Sequence, residues 1–208
     1  AEGLTAGQSF DEYTSDPAKP VPYTTTLSTG MVKEYMVEDQ RFAATRPDVL
    51  VYETEPLTED LTMVGPIMAE LYVSTSETDA DFIVKVIDVY PNSAADGING
   101  EKMGGYQMLV RGDVMRAKFR NSLEKPEPLI PNEVNEVKFE LNDVNHTFKA
   151  GHKIMVQVQS SWFPLVDRNP QKFINIYKAK PEDFVKSRIK IYHSSRYPSG
   201  IRFQALPK

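Results

Sequence analysis

The 208-residue chain contains no cysteine, three histidines and one tryptophan. Without cysteine it can form neither a disulfide framework nor a thiolate zinc site, and it has no cysteine nucleophile. No apolar run approaches the roughly 18–20 residues that a membrane-spanning helix needs. Basic residues form no block, because 24 Lys and Arg are scattered among 29 Asp and Glu, for a net charge of −5. We therefore expect neither a membrane nor a nucleic acid as a partner.

The composition is that of an ordinary globular chain, with 40% hydrophobic and 25% charged residues. Its length suits one large β-sandwich domain, alone or with an arm. The start, Ala1-Glu2-Gly3-Leu4, has neither the basic nor the apolar region of a signal peptide, so we expect none in these residues. The compartment, cytoplasmic or exported, stays open.

Residues 1–45 differ from the rest of the chain. Prolines at 17, 20 and 22 favour extended backbone, and a run of threonines follows at 24–26. We interpret 1–45 as an extended arm or linker with room for one short edge strand. Residues 46–208 are then the sandwich domain.

From residue 46 the pattern is mostly that of strands separated by Gly, Pro and Asn turns. Alternating or fully apolar runs occupy 67–74, 82–89, 137–141, 153–159, 188–192 and 200–203. Residues 105–119 suggest a strand pair interrupted at Arg111-Gly112-Asp113, and 181–186 is the one helix-compatible stretch. Run 82–89 is apolar on both faces except at Lys85 and Asp88, which is typical of a central strand. The prediction is an all-β sandwich, either a jelly roll or a Greek key.

Candidate catalytic and metal-binding side chains lack the spacing that their chemistry needs. His146, His152 and His193 form no His-x-His pattern, so we expect no metal site or cofactor, and we interpret His146 and His152, which flank a turn, as turn histidines. No Gly-x-Ser-x-Gly nucleophile elbow occurs. Ser160 and Ser161 follow a strand, but Trp162-Phe163-Pro164 comes next, so we expect no catalytic residue in this chain.

Two loops carry residues with alternative interpretations. Asp79 and Asp81 could form a bidentate ion pair with Arg168 that joins two loops, remain solvated, or bind calcium through carboxylate oxygens. Trp162 and Phe163 could be an exposed interface loop or a plug over the end of the core. A carbohydrate-binding module would use Trp162, Tyr90 or Tyr106 as an exposed platform.

Several strings in the loops identify a family. They are Asp39-Gln40-Arg41-Phe42, Arg46-Pro47-Asp48-Val49-Leu50, Thr78-Asp79-Ala80-Asp81-Phe82, Asp88-Val89-Tyr90-Pro91, Gly151-His152-Lys153-Ile154 and Ser160-Ser161-Trp162-Phe163-Pro164 with Asp167-Arg168-Asn169. In this order they resemble the C-terminal non-catalytic domain of the X-Pro dipeptidyl-peptidase family. Relatives of that family include cocaine esterase, α-amino acid ester hydrolase and the glutaryl-cephalosporanate acylases.

The resemblance implies a galactose-binding-like jelly roll that follows an α/β-hydrolase domain and a helical cap in one parent chain. The Ser, Asp and His of the parent's triad would lie in the hydrolase domain, so no catalytic residue is carried over to this chain. The sandwich would stabilise the catalytic domain and cap, its expected partners, and shape the active-site entrance. The parent would be a dipeptidyl-peptidase, acylase or ester hydrolase. A homo-oligomer remains open.

The resemblance also suggests a substrate-pocket rim after the Pro20-Val21-Pro22 motif. In cocaine esterase-like members the following segment lines the acyl pocket, which points here to Thr26, Leu27 and Ser28. Those members have an aromatic residue where this chain has Ser28, so the acyl specificity is expected to differ. A domain of this kind should expose an apolar patch that includes the arm and the loop around Trp162. The competing hypotheses are a carbohydrate- or ligand-binding jelly roll and a metal-dependent enzyme of the cupin type.

Overall fold

The computed structural model describes residues 9–26, 30 and 32–207. The strands are β1 Phe10–Ser15, β2 Val49–Glu53, β3 Leu61–Thr75, β4 Asp81–Val89, β5 Gln107–Arg116, β6 Asn135–Phe148, β7 Lys153–Gln159, β8 Ser187–Ser194, β9 Tyr197–Pro198 and β10 Gly200–Ala205. Helical turns are short: α1 Arg41–Ala44 and 3-10 turns at Lys33–Met36, Ala117–Phe119, Ile176–Lys178 and Pro181–Asp183. Within the described ranges no helix is long and apolar enough to cross a bilayer.

Two antiparallel sheets form a jelly-roll sandwich, which confirms the predicted all-β class. In the six-stranded sheet the long strand β3 pairs with β6 along one edge and with β8 and β10 along the other. Strand β1 extends this sheet beyond β8, and β9 adds a short pairing to β8. The second sheet has the order β2-β7-β4-β5, so β7 and β4 are its inner strands.

The main hydrophobic core lies between the sheets. Strand β4 directs Phe82, Val84 and Val86 into it, and all three side chains are fully buried. Strand β7 contributes Ile154 and Val158, as its alternation predicts. The opposite face of the four-stranded sheet, here called the outer face, carries a second buried cluster that includes Ile83, Ile87, Met155 and Trp162.

The segment predicted as an arm covers this outer face, which explains why β4 is apolar on both sides. Tyr23 belongs to the outer-face cluster, and Val32 and Tyr35 pack against it. Phe10–Ser15 forms an edge strand, with Tyr13 opposite Ile189 of β8. The domain boundary predicted at residue 45 is therefore corrected, because residues 9–26 and 32–45 contribute a strand and a cover to the sandwich.

The predicted interruption of the strand pair at 105–119 also needs correction. Strand β5 runs without a break through Arg111, Gly112 and Asp113, and its register shifts where Leu109 and Arg111 pair with successive residues of β4. That one-residue shift is a β-bulge, which absorbs the irregular pattern without ending the strand. The one or two helical turns expected at 181–186, with Pro181 at the first position, are a single 3-10 turn, Pro181–Asp183, followed by extended backbone at Phe184.

Candidate functional site

The part of the predicted arm that covers the outer face is here called the covering segment, and the loop after β7, residues 160–168, is called the Trp162 loop. The expected pocket rim follows the point where the covering segment crosses the Trp162 loop. The Val21 N–H donates to Ser161 Oγ (2.8 Å), and the Val21 carbonyl accepts from Phe163 N–H (2.9 Å). The Tyr23 N–H donates to the Phe163 carbonyl (2.9 Å). Thr26 follows and is exposed. Leu27 and Ser28 lie outside the described residues, so their role on the rim stays a prediction.

The segment returns to the sheet at Val32 and meets a polar layer on the outer face. Lys85 projects from the centre of β4, is fully buried, and donates from Nζ to Gln40 Oε1 (3.0 Å). Burial lowers the pKa of Lys85 to about 7, and the nearby carboxylate of Glu38 acts in the opposite direction. Gln157 on β7 is also fully buried, and its Nε2 donates to the Gln40 carbonyl (3.4 Å).

Sequence reasoning marked Lys85 only as an exception in an apolar strand, named Gln40 only within a family string, and did not mark Glu38 at all. The available signal was the lone charged residue between Ile83 and Ile87. A buried lysine needs a hydrogen-bond acceptor. Its acceptor here comes from the covering segment, 45 residues earlier in the chain, which no local pattern reveals.

Trp162 is a buried anchor of the outer-face cluster and is only 5% exposed. Its ring lies edge-on to Tyr35 at 5.9 Å between centroids, and Lys85 Nζ stands 5.3 Å from the ring centroid. A Cβ on Gly112 of β5 would come within 3.2 Å of the indole, so the glycine makes room for it. Trp162 therefore packs as a plug, on the outer face of the sheet and not over the end of the main core. It offers no exposed carbohydrate platform.

The neighbouring Phe163 is 37% exposed and lies beside the guanidinium of Arg168, 5.5 Å from the ring centroid. Tyr90 and Tyr106, the two tyrosines that were candidates for a carbohydrate platform, pack edge-to-face against each other with 6.1 Å between their ring centroids. Of Trp162 and Phe163, the two residues predicted for the interface loop, Phe163 thus reaches the surface.

The ion pair expected from the acidic loop exists, but with different cations. Asp81 receives two hydrogen bonds from Arg116, at 2.9 and 2.8 Å, because the two residues are direct partners in the β4–β5 ladder. Asp79 is fully buried, accepts from Lys118 N–H (3.0 Å) and lies 3.6 Å from Lys118 Nζ. Burial raises the pKa of Asp79, and the charge of Asp81 adds to this effect.

Arg168, the cation that the sequence suggested, serves another contact. Its Nη1 donates to the Pro17 carbonyl (2.9 Å), and its guanidinium also lies 5.1 Å from the centre of the Phe184 ring. The expected pairing of Asp79 or Asp81 with Arg168 is therefore corrected: Arg168 joins the Trp162 loop to the covering segment instead.

The three histidines and the two candidate serines make structural contacts. His146 Nε2 and His152 Nδ1 each lie 2.8 Å from a carboxylate oxygen of Asp88, and His193 Nδ1 lies 2.8 Å from Ser9 Oγ. The turn interpretation missed Asp88, although this residue was visible as the second exception in strand β4. Ser161 Oγ accepts from Val21, as described above, and Ser160 Oγ lies 2.6 Å from the Tyr13 hydroxyl.

No group of three or more His, Asp or Glu side chains within residues 9–26, 30 and 32–207 is arranged to hold a metal ion. The serines, histidines and carboxylates that sequence analysis considered are thus distributed among separate contacts and do not converge on one reacting atom.

An apolar surface adjoins the outer-face cluster. Met36 and Val37 of the covering segment are each 55% exposed. Beside them is a groove of about 420 Å3 whose walls include Tyr35, Trp162 and Val166. A second groove of about 320 Å3 continues from it and shares residues of β5 and the Trp162 loop. Its lining residues include Val114, Phe119, Leu123, Val166, Ile176 and Tyr177.

Comparison with known proteins places this architecture in a family. A family model described as the X-Pro dipeptidyl-peptidase C-terminal non-catalytic domain matches residues 3–202. Cocaine esterase from Rhodococcus sp. (strain MB1 Bresler) is 32% identical over 198 residues, which cover 95% of this chain and 32% of that protein.

Two solved structures show the same fold at higher identity. An aminopeptidase from a marine sediment archaeon, Thaumarchaeota archaeon, superposes with a TM-score of 0.89 at 45% identity and covers 97% of this chain and 34% of its own. An α-amino acid ester hydrolase gives a TM-score of 0.89 and 45% identity over 97% of this chain and 33% of its own. The chain thus spans about a third of the length of the relatives that it matches.

Proposed function

We propose, from the premise that the chain belongs to the family of X-Pro dipeptidyl-peptidase C-terminal non-catalytic domains, that it is the accessory domain of a longer serine hydrolase. The domain would stabilise an α/β-hydrolase domain and its cap, and supply one wall of the active-site entrance. Such a parent would cleave an ester or amide bond with a serine that this chain does not contribute.

One observation carries this proposal. The match extends over 95–97% of this chain but only 32–34% of the relatives. The names of these relatives describe an esterase, an aminopeptidase and an amino acid ester hydrolase, whereas the matching family model is described as non-catalytic. The hydrolytic groups are therefore expected in the other two thirds of such a protein.

The outer face supports a docking role toward that catalytic part. Exposed apolar side chains that adjoin grooves are typical of interaction surfaces. Met36 and Val37 lie next to the first groove, and Tyr177, which is 85% exposed, lies at the second. We propose that the hydrolase and cap domains pack against the part of the outer face that contains these two grooves, here called the docking face.

The rim role is proposed for Thr26, Leu27 and Ser28. Its support is the position of the segment: Tyr23 is held against Phe163, and Thr26, three residues later, is exposed. A small hydroxyl at Ser28, where cocaine esterase-like relatives have an aromatic side chain, would leave more room for the acyl group.

The division of labour can be tested with an activity-based probe. A fluorophosphonate should label the longer protein and leave the 208-residue chain unlabelled, because the nucleophile is expected outside this chain. Hydrolysis of p-nitrophenyl esters, amino acid esters and X-Pro anilides by the longer protein then separates esterase, acylase and peptidase. Turnover by the 208-residue chain alone, lost in Ser160→Ala or Ser161→Ala, would overturn the proposal.

The docking face can be tested with a matched pair of substitutions. Met36→Glu should lower the Tm of the longer protein but not that of the 208-residue chain, because the charge is desolvated only on docking. Leu206→Glu is the control, since Leu206 is also 55% exposed but follows β10 of the other sheet. Equal effects of the two substitutions on the longer protein would contradict the assignment of the face.

A further inference from the structure

A cavity of about 550 Å3 lies between the two sheets, on the side where β2 and β10 are the end strands in the described part of the chain. Strands β2, β4 and β7 form one wall, and β3, β8 and β10 form the other. The cavity reaches Leu71 and Val84, which are buried residues of the main core. It is therefore an opening into the sandwich itself, and it shares no lining residue with the two grooves of the docking face.

The cavity lies where strand β3 changes its partner. Strand β10 pairs with β3 as far as Glu70, and β8 pairs with it from Tyr72 onward, so two strands meet end to end beside β3. Ser199 stands at this junction, where its Oγ accepts from the Tyr72 N–H (2.8 Å) and donates to the Tyr72 carbonyl (3.4 Å). Ser199 and Gly200 both line the cavity and supply little side-chain volume, so the wall leaves space open at this point.

The interior of the cavity is apolar. Five of its lining side chains are only partly buried although they pack against the main core, and they are Leu57, Leu61, Val156, Ile201 and Phe203. Protein interiors leave few voids larger than a water molecule, whereas ligand pockets commonly measure about 300–1,000 Å3. Apolar cavities also accept apolar molecules in preference to water. The volume and lining are thus those of a site for an apolar ligand.

Polar side chains stand at the mouth of the cavity. The Tyr52 hydroxyl donates to Asp11 Oδ2 (2.9 Å), and His193 Nε2 lies 3.3 Å from the same oxygen. Glu53, also at the mouth, accepts from Lys153 Nζ (2.9 Å). An anionic ligand would meet the carboxylates of Asp11 and Glu53 here, and like charges brought together oppose binding. The mouth therefore favours a ligand without negative charge.

We propose that this cavity binds an uncharged apolar small molecule, such as a medium-chain alcohol, with its hydrocarbon part between the sheets and its polar end at Tyr52 and His193. The Tyr52 hydroxyl donates to Asp11 and can still accept a hydrogen bond from the ligand. Because the cavity is separate from the docking face, this binding does not rest on the proposed function, and it is expected of the 208-residue chain whatever the parent hydrolyses.

Binding is tested in the 208-residue chain with N-phenylnaphthylamine, an uncharged probe whose fluorescence increases in apolar surroundings. The probe should bind with a Kd below about 100 μM, and octanol should displace it. Val156→Phe and Ile201→Phe, which fill the cavity from opposite sheets, should each weaken binding by about tenfold or more. Val64→Phe is the matched control, since Val64 lies on β3 but does not line the cavity.

Methyl NMR locates the ligand without any substitution. Octanol should shift the methyl signals of Leu57, Leu61 and Ile201, which line the cavity, in the original chain. It should leave those of Leu165 unchanged, because Leu165 lines the first groove of the docking face. Shifts at Leu165 without shifts in the cavity would overturn the assignment.

The preference for an uncharged ligand is tested by displacing the probe with octanol and with octanoate. Asp11→Asn should improve displacement by octanoate about threefold and leave that by octanol unchanged, because only the anion gains when the carboxylate is removed. Glu12→Gln is the matched control, since it removes the same charge from the next residue of β1, which is exposed on the opposite face of the strand.

The outcomes decide the site and its selectivity separately. If the probe binds equally to the original chain, Val156→Phe and Ile201→Phe, it occupies another surface and the proposed site is wrong. Loss of binding in Met36→Glu, with binding retained in the two filled variants, would place the probe on the docking face and would also overturn the site. If the filled variants lose the probe but Asp11→Asn does not favour octanoate, the site stands and the preference for an uncharged ligand is wrong.

Discussion

The two faces of strand β4 are packed in different ways. Toward the six-stranded sheet, Phe82, Val84 and Val86 belong to the main hydrophobic core. On the outer face, Lys85 lies between Ile83 and Ile87 beneath a polar layer. Apolar packing on the inner face stabilises the sandwich, and contacts on the outer face hold the covering segment in place.

The outer face also contains polar atoms that lack partners in the described part of the chain. Among them are Gln157 Oε1, Glu38 Oε2 and Trp162 Nε1, all buried. Unsatisfied buried groups destabilise a fold, so their concentration near the covering segment needs a reason other than packing. The inner face is thus uniformly apolar at these positions, whereas the outer face combines apolar side chains with buried polar groups.

The largest effect is expected on the inner face. Phe82→Ala should lower the free energy of unfolding by about 3–5 kcal/mol, because it leaves a cavity in a close-packed core. Urea denaturation of the 208-residue chain measures the change. Phe163→Ala is the control, with an expected loss of about 1 kcal/mol or less, since Phe163 is 37% exposed. Similar losses for both would remove the distinction between core and loop.

The next effect is expected at the edge of the four-stranded sheet. Asp81→Asn should lower the free energy of unfolding by about 3 kcal/mol, because Arg116 loses its anionic partner and one of its two hydrogen bonds, whereas the asparagine oxygen can still accept the other. Asp96→Asn should change it by about 0.5 kcal/mol or less, since the Lys102–Asp96 pair is solvent-exposed. A small loss for Asp81→Asn in urea titrations would show that the pair contributes little to the edge.

On the outer face we expect a gain. Lys85→Met should raise the free energy of unfolding by about 2 kcal/mol near pH 6, because it removes a buried ammonium but leaves Gln40 Oε1 unpaired. The pKa of Lys85 is about 7 in the folded chain, against 10.5 for an ordinary lysine, so the unfolded chain binds the extra proton between these values.

The stability of the original chain should therefore rise as the pH increases from about 7 toward 10.5, and the advantage of Lys85→Met should shrink over that window. Tm measured across this pH range checks the sign. An advantage that grows with pH would mean that the buried ammonium stabilises the fold, and would reverse the comparison of the two faces.

The smallest effect concerns the space beneath Trp162. Gly112→Ala should lower the free energy of unfolding by about 1 kcal/mol, because the new methyl group meets two buried side chains, Trp162 at 3.2 Å and Lys85 at 3.3 Å. The emission of the single tryptophan should shift with it. Gly200→Ala is the control, because nothing lies within 4 Å of a Cβ there, and it should leave both readouts unchanged.

Much of the fold could be read from local patterns. Alternation predicted β7 at Lys153–Gln159 with its true boundaries, and the fully apolar run predicted β4 as an inner strand. The loop strings led to the correct family. These features depend on side-chain period and turn chemistry over a few residues, which the sequence displays directly.

The sites were less predictable because each joins residues that are far apart in the chain. Asp81 paired with Arg116 instead of Arg168, since ladder register places Arg116 directly opposite. His146 and His152 converge on Asp88 from β6 and the following turn. No period or spacing in the sequence encodes those distances.

By itself the sequence determined the class of fold, most of the longer strands and the absence of cysteine chemistry, because these follow from residue type and short-range order. Only the tertiary structure decided that the predicted arm is part of the sandwich, that Trp162 is buried, and that Lys85 is buried against Gln40. The physical reason is that a buried charge takes its partner from whichever segment folds over it, and the folding of the whole chain selects that segment.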